Sequence, residues 1–276
     1  MGAGRESLLP VERVISAGVI DSPRVTRELQ GTIGEVRGGG RRSLAVPHAG
    51  VSRRPASVEL WNRHTVVQSW TEGGGILKED RAVVKDRLKT SGFYDGLSSK
   101  SSLLDLAVGA QTYLEAEYIP QGATVHAADL SQGMLEALKV SEERRGIHLH
   151  TKFRTMDATS LDYPASSFDR ILSTFMMRYL SESEQRTALL EMVRATKDQG
   201  RIDIIDFDNV PNYNQANRQA NLFTPARINE MIFGNPFFDQ GLKELGAEVT
   251  IVMDEVPRKK QPFPARLHHL QLTINK

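Results

Sequence analysis

Two aspartates, each closing an apolar run, are the residues with the clearest chemistry in this sequence. Asp105 lies in SSLLDLAVGAQTYL (101–114), and Asp129 lies in ATVHAADLSQGMLEAL (123–138). A turn of small residues after a strand lets backbone N–H groups approach a ligand, and an acid after the next strand can accept hydrogen bonds from both ribose hydroxyls. The pattern therefore indicates a nucleoside site at the edge of an open α/β sheet.

The turn after Asp105 is poor in glycine. It contains Ala107, Val108, Gly109, Ala110 and Gln111, of which only Gly109 can adopt a positive φ without cost. A strand, a turn and a helix with one glycine occur in many α/β proteins. The elements downstream must therefore decide whether a nucleoside site is present.

Those elements alternate between helix and strand. The sequence predicts a helix around Met134, an extended segment ending at Asp157, an apolar strand over 170–175, a helix over 183–196 and a strand in RIDIIDFD (201–208). From about Leu103 onward, their order and spacing resemble the class I S-adenosylmethionine (SAM) dependent methyltransferases, closest to the quinone-biosynthesis and small-molecule branch. The resemblance implies a Rossmann-like, seven-stranded, mostly parallel sheet with an antiparallel last strand and an N-terminal helical cap.

The chain divides into three predicted parts. Residues 1–56 are a leader or a lid, 57–100 a helical cap, and 101–276 the SAM-binding domain. Within the last part, a helix over 237–245 and strands over 247–253 and 267–274 match the antiparallel seventh strand of such folds.

The resemblance also implies the cofactor-binding residues. Asp129 would accept from the ribose hydroxyls, and Asp105 would position the methionine ammonium directly or through water. Gly109, with the backbone of Ala107 and Ala110, would pass close to the methionine, although Gln111 replaces the family's last glycine. The alternatives are structural: a helix N-cap for Asp129 and a turn cap for Asp105.

The adenine would lie against a second group of residues. Asp157 would accept from the exocyclic amine, Ala158 would donate from its backbone, and Leu130 and Met134 would flank the ring. A solvated loop is the alternative for Asp157, and an ordinary core position is the alternative for Met134.

Reaction chemistry is expected at the ends of the fourth and fifth strands, since ligands of such sheets bind at the carboxyl ends of the strands. Thr174, Phe175 and Tyr179, with Met176 and Arg178, would face the sulfonium there. Aromatic faces attract cations, so Phe175, Tyr179 and Tyr213 could hold it or orient an acceptor. The alternative is that the first two are core aromatics.

Two further candidates complete the predicted catalytic set. Asn209, in an asparagine-rich stretch, offers neutral hydrogen-bonding groups for a polar substrate, unless the stretch is a simple turn. His64 could act as a general base near neutral pH, unless it is structural. No metal site is expected, because His268 and His269 point to opposite faces of a strand, and Asp206 and Asp208 have no supporting histidine.

Composition excludes several classes of protein. A net charge of +1 gives no electrostatic basis for binding nucleic acid, and the absence of cysteine removes thiol nucleophiles and disulfides. No apolar run could cross a membrane and no signal peptide is evident, so a cytoplasmic location is expected. The expected partner is a small-molecule substrate, or SAM alone, bound by a monomer or homodimer.

Three functions are compatible with these features. The first is a SAM-dependent transferase that methylates a small molecule, for example in secondary metabolism. The second is a methyltransferase-like cyclase in which the α-amine of SAM attacks its own γ-carbon, giving azetidine-2-carboxylate and methylthioadenosine. The third is a catalytically inactive relative that acts as a binding partner.

Overall fold

The fold was analysed on a computed structural model. It describes residues 11–15, 59, 62–63, 66–68, 78–144, 150–208, 223–232, 235–257 and 266–276. The strands are β1 (Val11–Ile15), β2 (Ser102–Leu106), β3 (Thr124–Asp129), β4 (His150–Thr155), β5 (Phe168–Thr174), β6 (Thr196–Phe207), β7 (Glu248–Val256) and β8 (Leu267–Asn275). The helices of eight residues or more are α1 (Lys78–Thr90), α2 (Gln132–Arg144), α3 (Glu182–Ala195), α4 (Pro225–Ile232) and α5 (Pro236–Leu245).

The strands form one sheet in the order β1-β7-β8-β6-β5-β2-β3-β4. Strands β2 to β6 pair in parallel, whereas β8 is antiparallel to both β6 and β7. The predicted α/β class, with a mostly parallel sheet and an antiparallel last strand, is confirmed. An eighth strand, β1, pairs with β7 at one edge of the sheet and comes from the segment predicted as a leader or lid.

The chain order reverses beside β2, and this reversal positions the site. From β2 the chain runs outward through β3 and β4, then crosses back to β5 on the other side of β2. Helices on either side of such a switch point diverge, leaving a crevice at the carboxyl ends of the strands. The residues that follow β2, β3 and β5 therefore meet at one edge of the sheet.

Apolar side chains cover both faces of the sheet. Ile171, Ile202 and Leu270 pack with buried residues of α3, α4 and α5 on one face, and Leu103 and Leu172 pack with Val84 and Leu88 of α1 on the other. Local signals set the helix ends. The Glu184 carboxylate accepts from the Ser181 amide at 2.8 Å before α3, and Gly246 ends α5 with a φ of 59°.

Charged groups fasten α1 to the sheet. Arg87 donates from Nε to Nδ1 of His269 at 2.8 Å and forms an ion pair with Asp254. Since Nδ1 accepts, Nε2 of His269 carries the hydrogen that faces Asp203 Oδ1, 2.7 Å away. These contacts join a helix of the predicted cap range to β6, β7 and β8.

Candidate active site

The turn after β2 is built from two residues with positive φ. Ala107 has a φ of 56° and Gly109 a φ of 64°. Left-handed backbone costs an alanine about 1–2 kcal/mol, and the surrounding fold must offset this cost for the turn to keep its shape. A Cβ placed on Gly109 would meet nothing within 4 Å, which leaves open space in front of this backbone. A ligand can therefore approach the main chain there.

Asp129 joins this turn to the end of β3. Its Oδ2 accepts from the Gly109 amide and its Oδ1 from the Ser131 amide, both at 2.8 Å. Burial raises the pKa of Asp129 to about 6, while these amides oppose the shift. The Oγ of Ser131 accepts from the Met134 amide at 3.1 Å and so caps the next helix, whereas Asp129 holds the turn at the position predicted for the ribose.

Asp105 is a buried carboxylate with one unused oxygen. The residue is 1% exposed, and Thr112 Oγ1 donates to its Oδ2 at 2.5 Å. Its Oδ1 has no hydrogen-bond partner among the residues that the structure describes. Burial raises the pKa of Asp105 to about 7. An orphaned buried oxygen of this kind fits an ammonium group, which would both satisfy it and favour the ionised form.

The predicted adenine side is mainly locally bonded. Asp157 Oδ1 accepts from the amide and the hydroxyl of Thr159, both at 2.8 Å, as in an Asx turn. Ala158 and Met134 are buried, at 9% and 2% exposure, and Leu130 is half-buried. The turn geometry supports the loop alternative for Asp157, and the burial of Met134 supports its core alternative.

A residue of the predicted cap reaches this side of the site. Asn62 Oδ1 accepts from Ser131 Oγ at 2.7 Å and from the Gly133 amide at 3.2 Å. Ser131 is the residue whose amide binds Asp129. No sequence pattern indicated Asn62, because an asparagine is usually solvated.

Aromatic residues line the sheet edge after β5. Phe175 has a φ of 58° and its amide donates to the Ile205 carbonyl. Its ring stacks on Phe207 with centroids 5.2 Å apart and meets the edge of Tyr113 at 5.6 Å. Thr174 and Phe175 are both buried, at 5% and 3% exposure. Phe175 is therefore packed as a core aromatic at the place predicted to face the sulfonium.

Arg178 and Tyr179 follow directly. The Arg178 guanidinium carbon lies 4.9 Å from the Tyr179 ring centroid, and Arg178 Nη2 donates to the Tyr179 hydroxyl at 3.3 Å. Arg178 also forms an ion pair with Asp206, with 3.6 Å between Nη1 and Oδ1. The cation on the Tyr179 ring is thus a side chain of the protein.

The structure brings together most of the predicted site and leaves three candidates undecided. Asp105, Ala107, Gly109, Asp129, Thr174, Phe175 and Tyr179 lie at or near the carboxyl ends of β2, β3 and β5. His64, Asn209 and Tyr213 lie outside the described residues. Thr112 was missed, and only its position seven residues after Asp105 could have indicated it. Asp206 was considered only as a metal ligand, and only its position at the end of a strand could have indicated another role.

Asp206 and Asp208 have other partners than a cation. Asp206 accepts from the Arg178 and Phe207 amides at 3.2 and 2.7 Å, and Asp208 accepts from the Arg266 amide at 2.7 Å. Among the described residues, no group of three or more His, Cys, Asp or Glu side chains could hold a metal ion. No helix in the described part of the chain is long and apolar enough to span a bilayer.

Comparisons with known proteins match part of this chain to methyltransferases. A methyltransferase-domain family matches residues 103–200. The demethylmenaquinone methyltransferase of Clavibacter sepedonicus is 38% identical over 109 residues, which are 40% of this chain and 42% of that protein. The chain thus spans less than half the length of the first curated relatives it matches.

Solved structures share the fold at low identity. The phosphoethanolamine N-methyltransferase 2 of Haemonchus contortus, in complex with phosphomonomethylethanolamine and S-adenosylhomocysteine, has a TM-score of 0.58 at 15% identity, covering 79% of this chain and 60% of that one. The [4+2]-cyclase SpnF has a TM-score of 0.56 at 14% identity, covering 79% and 95%. Residues 103–200 thus match a methyltransferase-domain family, and the sheet around them has the fold of solved methyltransferases.

Proposed function

We propose that this chain binds SAM at the carboxyl ends of β2, β3 and β5 and transfers its methyl group to a small molecule. The observation that carries the proposal is that Oδ1 of Asp105 is buried and has no hydrogen-bond partner in the described part of the chain, beside a turn held by Asp129. A structural carboxylate would be expected to have both oxygens satisfied. Here one oxygen has no donor among the residues that the structure describes, which leaves it for a bound ligand.

The residues divide the binding work. Asp105 would take the methionine ammonium, Asp129 the ribose hydroxyls, and the backbone at Gly109 would approach the methionine. SAM, when bound, supplies a methyl group already activated on a sulfonium. The protein then needs mainly to align the acceptor and exclude water, so the scarcity of acid–base residues in the described site is compatible with turnover.

The acceptor is proposed by class only. The family match and the relatives named as demethylmenaquinone methyltransferases favour a small organic acceptor. A secondary metabolite stays a prediction, as do the cytoplasmic location, the absence of nucleic-acid partners, and the monomeric or homodimeric state. The boundaries at residues 56 and 100, and the assignment of 1–56 as leader or lid, are likewise predictions.

Incubating the purified chain with SAM tests the proposal. Calorimetry should show saturable one-to-one binding of SAM and S-adenosylhomocysteine, and SAM alone should not be consumed. A panel of demethylated quinones and phenols with labelled SAM should then yield a labelled product. Methylthioadenosine formed from SAM without an acceptor would replace the proposal with the intramolecular cyclase. Failure to bind either nucleoside would indicate the inactive relative.

A further inference from the structure

Arg178 is a buried guanidinium at the edge of the candidate site. Its side chain is 7% exposed and follows β5, where the chain turns toward α3. Its guanidinium carbon lies 5.3 Å from the Phe175 ring centroid and 5.5 Å from that of Phe207, in addition to the contact with Tyr179. Aromatic faces can hold a cation, but burying one remains costly unless its donors are also used.

Asp206 offsets the charge of Arg178 without using up its donors. The Asp206 carboxylate is fully buried and accepts from backbone amides, and Arg178 Nη1 lies 3.6 Å from Oδ1, beyond hydrogen-bonding distance. Nη1 is buried and has no hydrogen-bond partner among the described residues. The pair is therefore electrostatic, with a donor left over.

Strand β6, which carries Asp206, also contains an arginine–aspartate ion pair of the usual structural kind, Arg201 with Asp203. Arg201 donates to both oxygens of Asp203, from Nε at 2.7 Å and from Nη2 at 2.6 Å. This fork is the geometry that a guanidinium and a carboxylate normally adopt when each is the other's partner. Arg178 and Asp206 do not form it, although both are as deeply buried. The difference indicates that the Nη1 donor of Arg178 is available to a different partner.

Arg178 lies near the proposed positions of both SAM and the methyl acceptor. Arg178 lies against Phe175, whose ring also contacts Tyr113. Tyr113 directly follows Thr112, whose hydroxyl donates to Asp105. On the other side, Arg178 is beside the ends of β5 and β6, where an acceptor would be expected. A planar fork of N–H donors in such a place matches a carboxylate, which it can bind in a bidentate manner.

We propose that Arg178 binds a carboxylate and that the methyl acceptor of this site is an organic acid. The inference rests on the proposed function, because it names the substrate class of that same site. The same chemistry could also come from the methionine carboxylate of SAM. The two sources differ in which ligand loses affinity when the guanidinium is removed.

The first arm measures the acceptor on the full chain saturated with S-adenosylhomocysteine. Benzoate and 4-hydroxybenzoate are compared with benzamide and 4-hydroxybenzamide, which have the same shape without the charge, by ligand-observed NMR titration. Wild type should favour the acids at least about tenfold, Arg178→Gln should abolish that preference, and Arg178→Lys should keep only part of it. Equal affinity of wild type for acids and amides would overturn the proposal of an acidic acceptor.

The second arm measures the cofactor. Arg178→Gln is titrated with S-adenosylhomocysteine and with methylthioadenosine, which lacks the amino-acid end. A loss of about tenfold or more for the first ligand alone would assign the carboxylate to the cofactor and leave Arg178 as its binding residue. No change in either arm would show that Arg178 binds no carboxylate.

A matched control separates these effects from general damage. Arg154 also lies over a tyrosine, with its guanidinium carbon 5.1 Å from the Tyr163 ring centroid, but its side chain is 49% exposed. Arg154→Gln should leave the acid preference and both nucleoside affinities unchanged. If Arg178→Gln fails to fold, the comparison of acids with amides on wild type and on Arg178→Lys still decides. Wild type that binds neither nucleoside would refute the proposed function, whereas its failure to prefer acids would refute only this inference.

Discussion

The amide of Gly109 donates to the carboxylate of Asp129 at 2.8 Å, so the turn after β2 and the acid after β3 form one unit. Two features that are twenty residues apart in the sequence thus hold each other in position. The bond explains how a turn with a single well-placed glycine keeps its shape. It also means that changing Asp129 should affect the turn as well as any direct contact to the ribose.

Replacing Asp129 should weaken nucleoside binding. In Asp129→Ala, two amides lose their acceptor and the ribose loses a charged one, and a hydrogen bond to a charged group contributes about 1.5–3 kcal/mol. Calorimetry with S-adenosylhomocysteine should show a loss of at least about tenfold. Asp162→Ala, at a side chain that is 96% exposed, is the control and should bind normally. An affinity of Asp129→Ala within about threefold of wild type would refute the ribose assignment.

Nucleoside affinity should depend on pH through Asp105. Burial raises the pKa of Asp105 to about 7, above the roughly 3.9 of an unfolded chain. The folded, ligand-free protein therefore holds this proton more tightly than the unfolded chain does, and the contribution of Asp105 to the unfolding free energy declines as pH rises from about 4 to about 7. A bound ammonium favours the ionised form, so affinity for S-adenosylhomocysteine should rise over pH 5.5–7.5.

Two comparisons show which carboxylate causes this pH dependence. Methylthioadenosine has no ammonium and should respond only to Asp129, whose pKa burial raises to about 6, so its affinity should level off at lower pH. Thr112→Val removes the hydrogen bond that stabilises the ionised Asp105 and should move the midpoint for S-adenosylhomocysteine upward. Identical pH profiles for both nucleosides would exclude Asp105 as the ammonium partner.

The turn should tolerate glycine at one alanine and not at the other. Ala107 has a φ of 56°, so Ala107→Gly relieves about 1–2 kcal/mol of strain against about 0.4–1 kcal/mol of added unfolded-chain entropy. We expect a net gain of about 0–1.6 kcal/mol in the free energy of unfolding, measured by thermal or denaturant unfolding. Ala110 is 1% exposed and lacks a positive φ. Ala110→Gly should therefore cost about 1–2 kcal/mol, from a lost methyl group and backbone entropy; a similar loss at both positions would contradict the strain at Ala107.

Tyr179 should act through its ring more than through its hydroxyl. The ring lies under the Arg178 guanidinium, and the hydroxyl accepts from Nη2 only at 3.3 Å. In protein saturated with S-adenosylhomocysteine, Tyr179→Phe should retain the preference for benzoate over benzamide, whereas Tyr179→Ala should reduce it several-fold. Thermal unfolding of both variants controls for stability. Equal preference in all three proteins would remove Tyr179 from the site.

The positions of the two acids could be predicted because they depend on a simple rule. Asp105 and Asp129 each close a buried strand, and the carboxyl ends of neighbouring parallel strands must lie together. The same reasoning placed Thr174 and Phe175. These assignments needed only strand ends and strand order, both of which follow from apolar patterns in the chain.

Other features depend on contacts that no local pattern encodes. Arg178 could be placed near the site from its position after the fourth strand, but its burial depends on Asp206 and Phe207, which come from another strand. The φ of Ala107 contradicts its residue preference and is imposed by the turn around it. Thr112 reaches Asp105 only after the chain has folded back. These features are the tertiary part of the site.

The insertion of β8 between β6 and β7 constrains the order in which the sheet can be assembled. Although β7 precedes β8 in the chain, it reaches the rest of the sheet only through β8, and the β6–β8 register joins Arg201 to Thr273. The nucleoside half, from β2 to β5, is complete once residue 174 has been synthesised. On the ribosome, β2 to β5 can pack first. The pairing of β7 with the sheet must wait until β8, which begins at Leu267, has been synthesised.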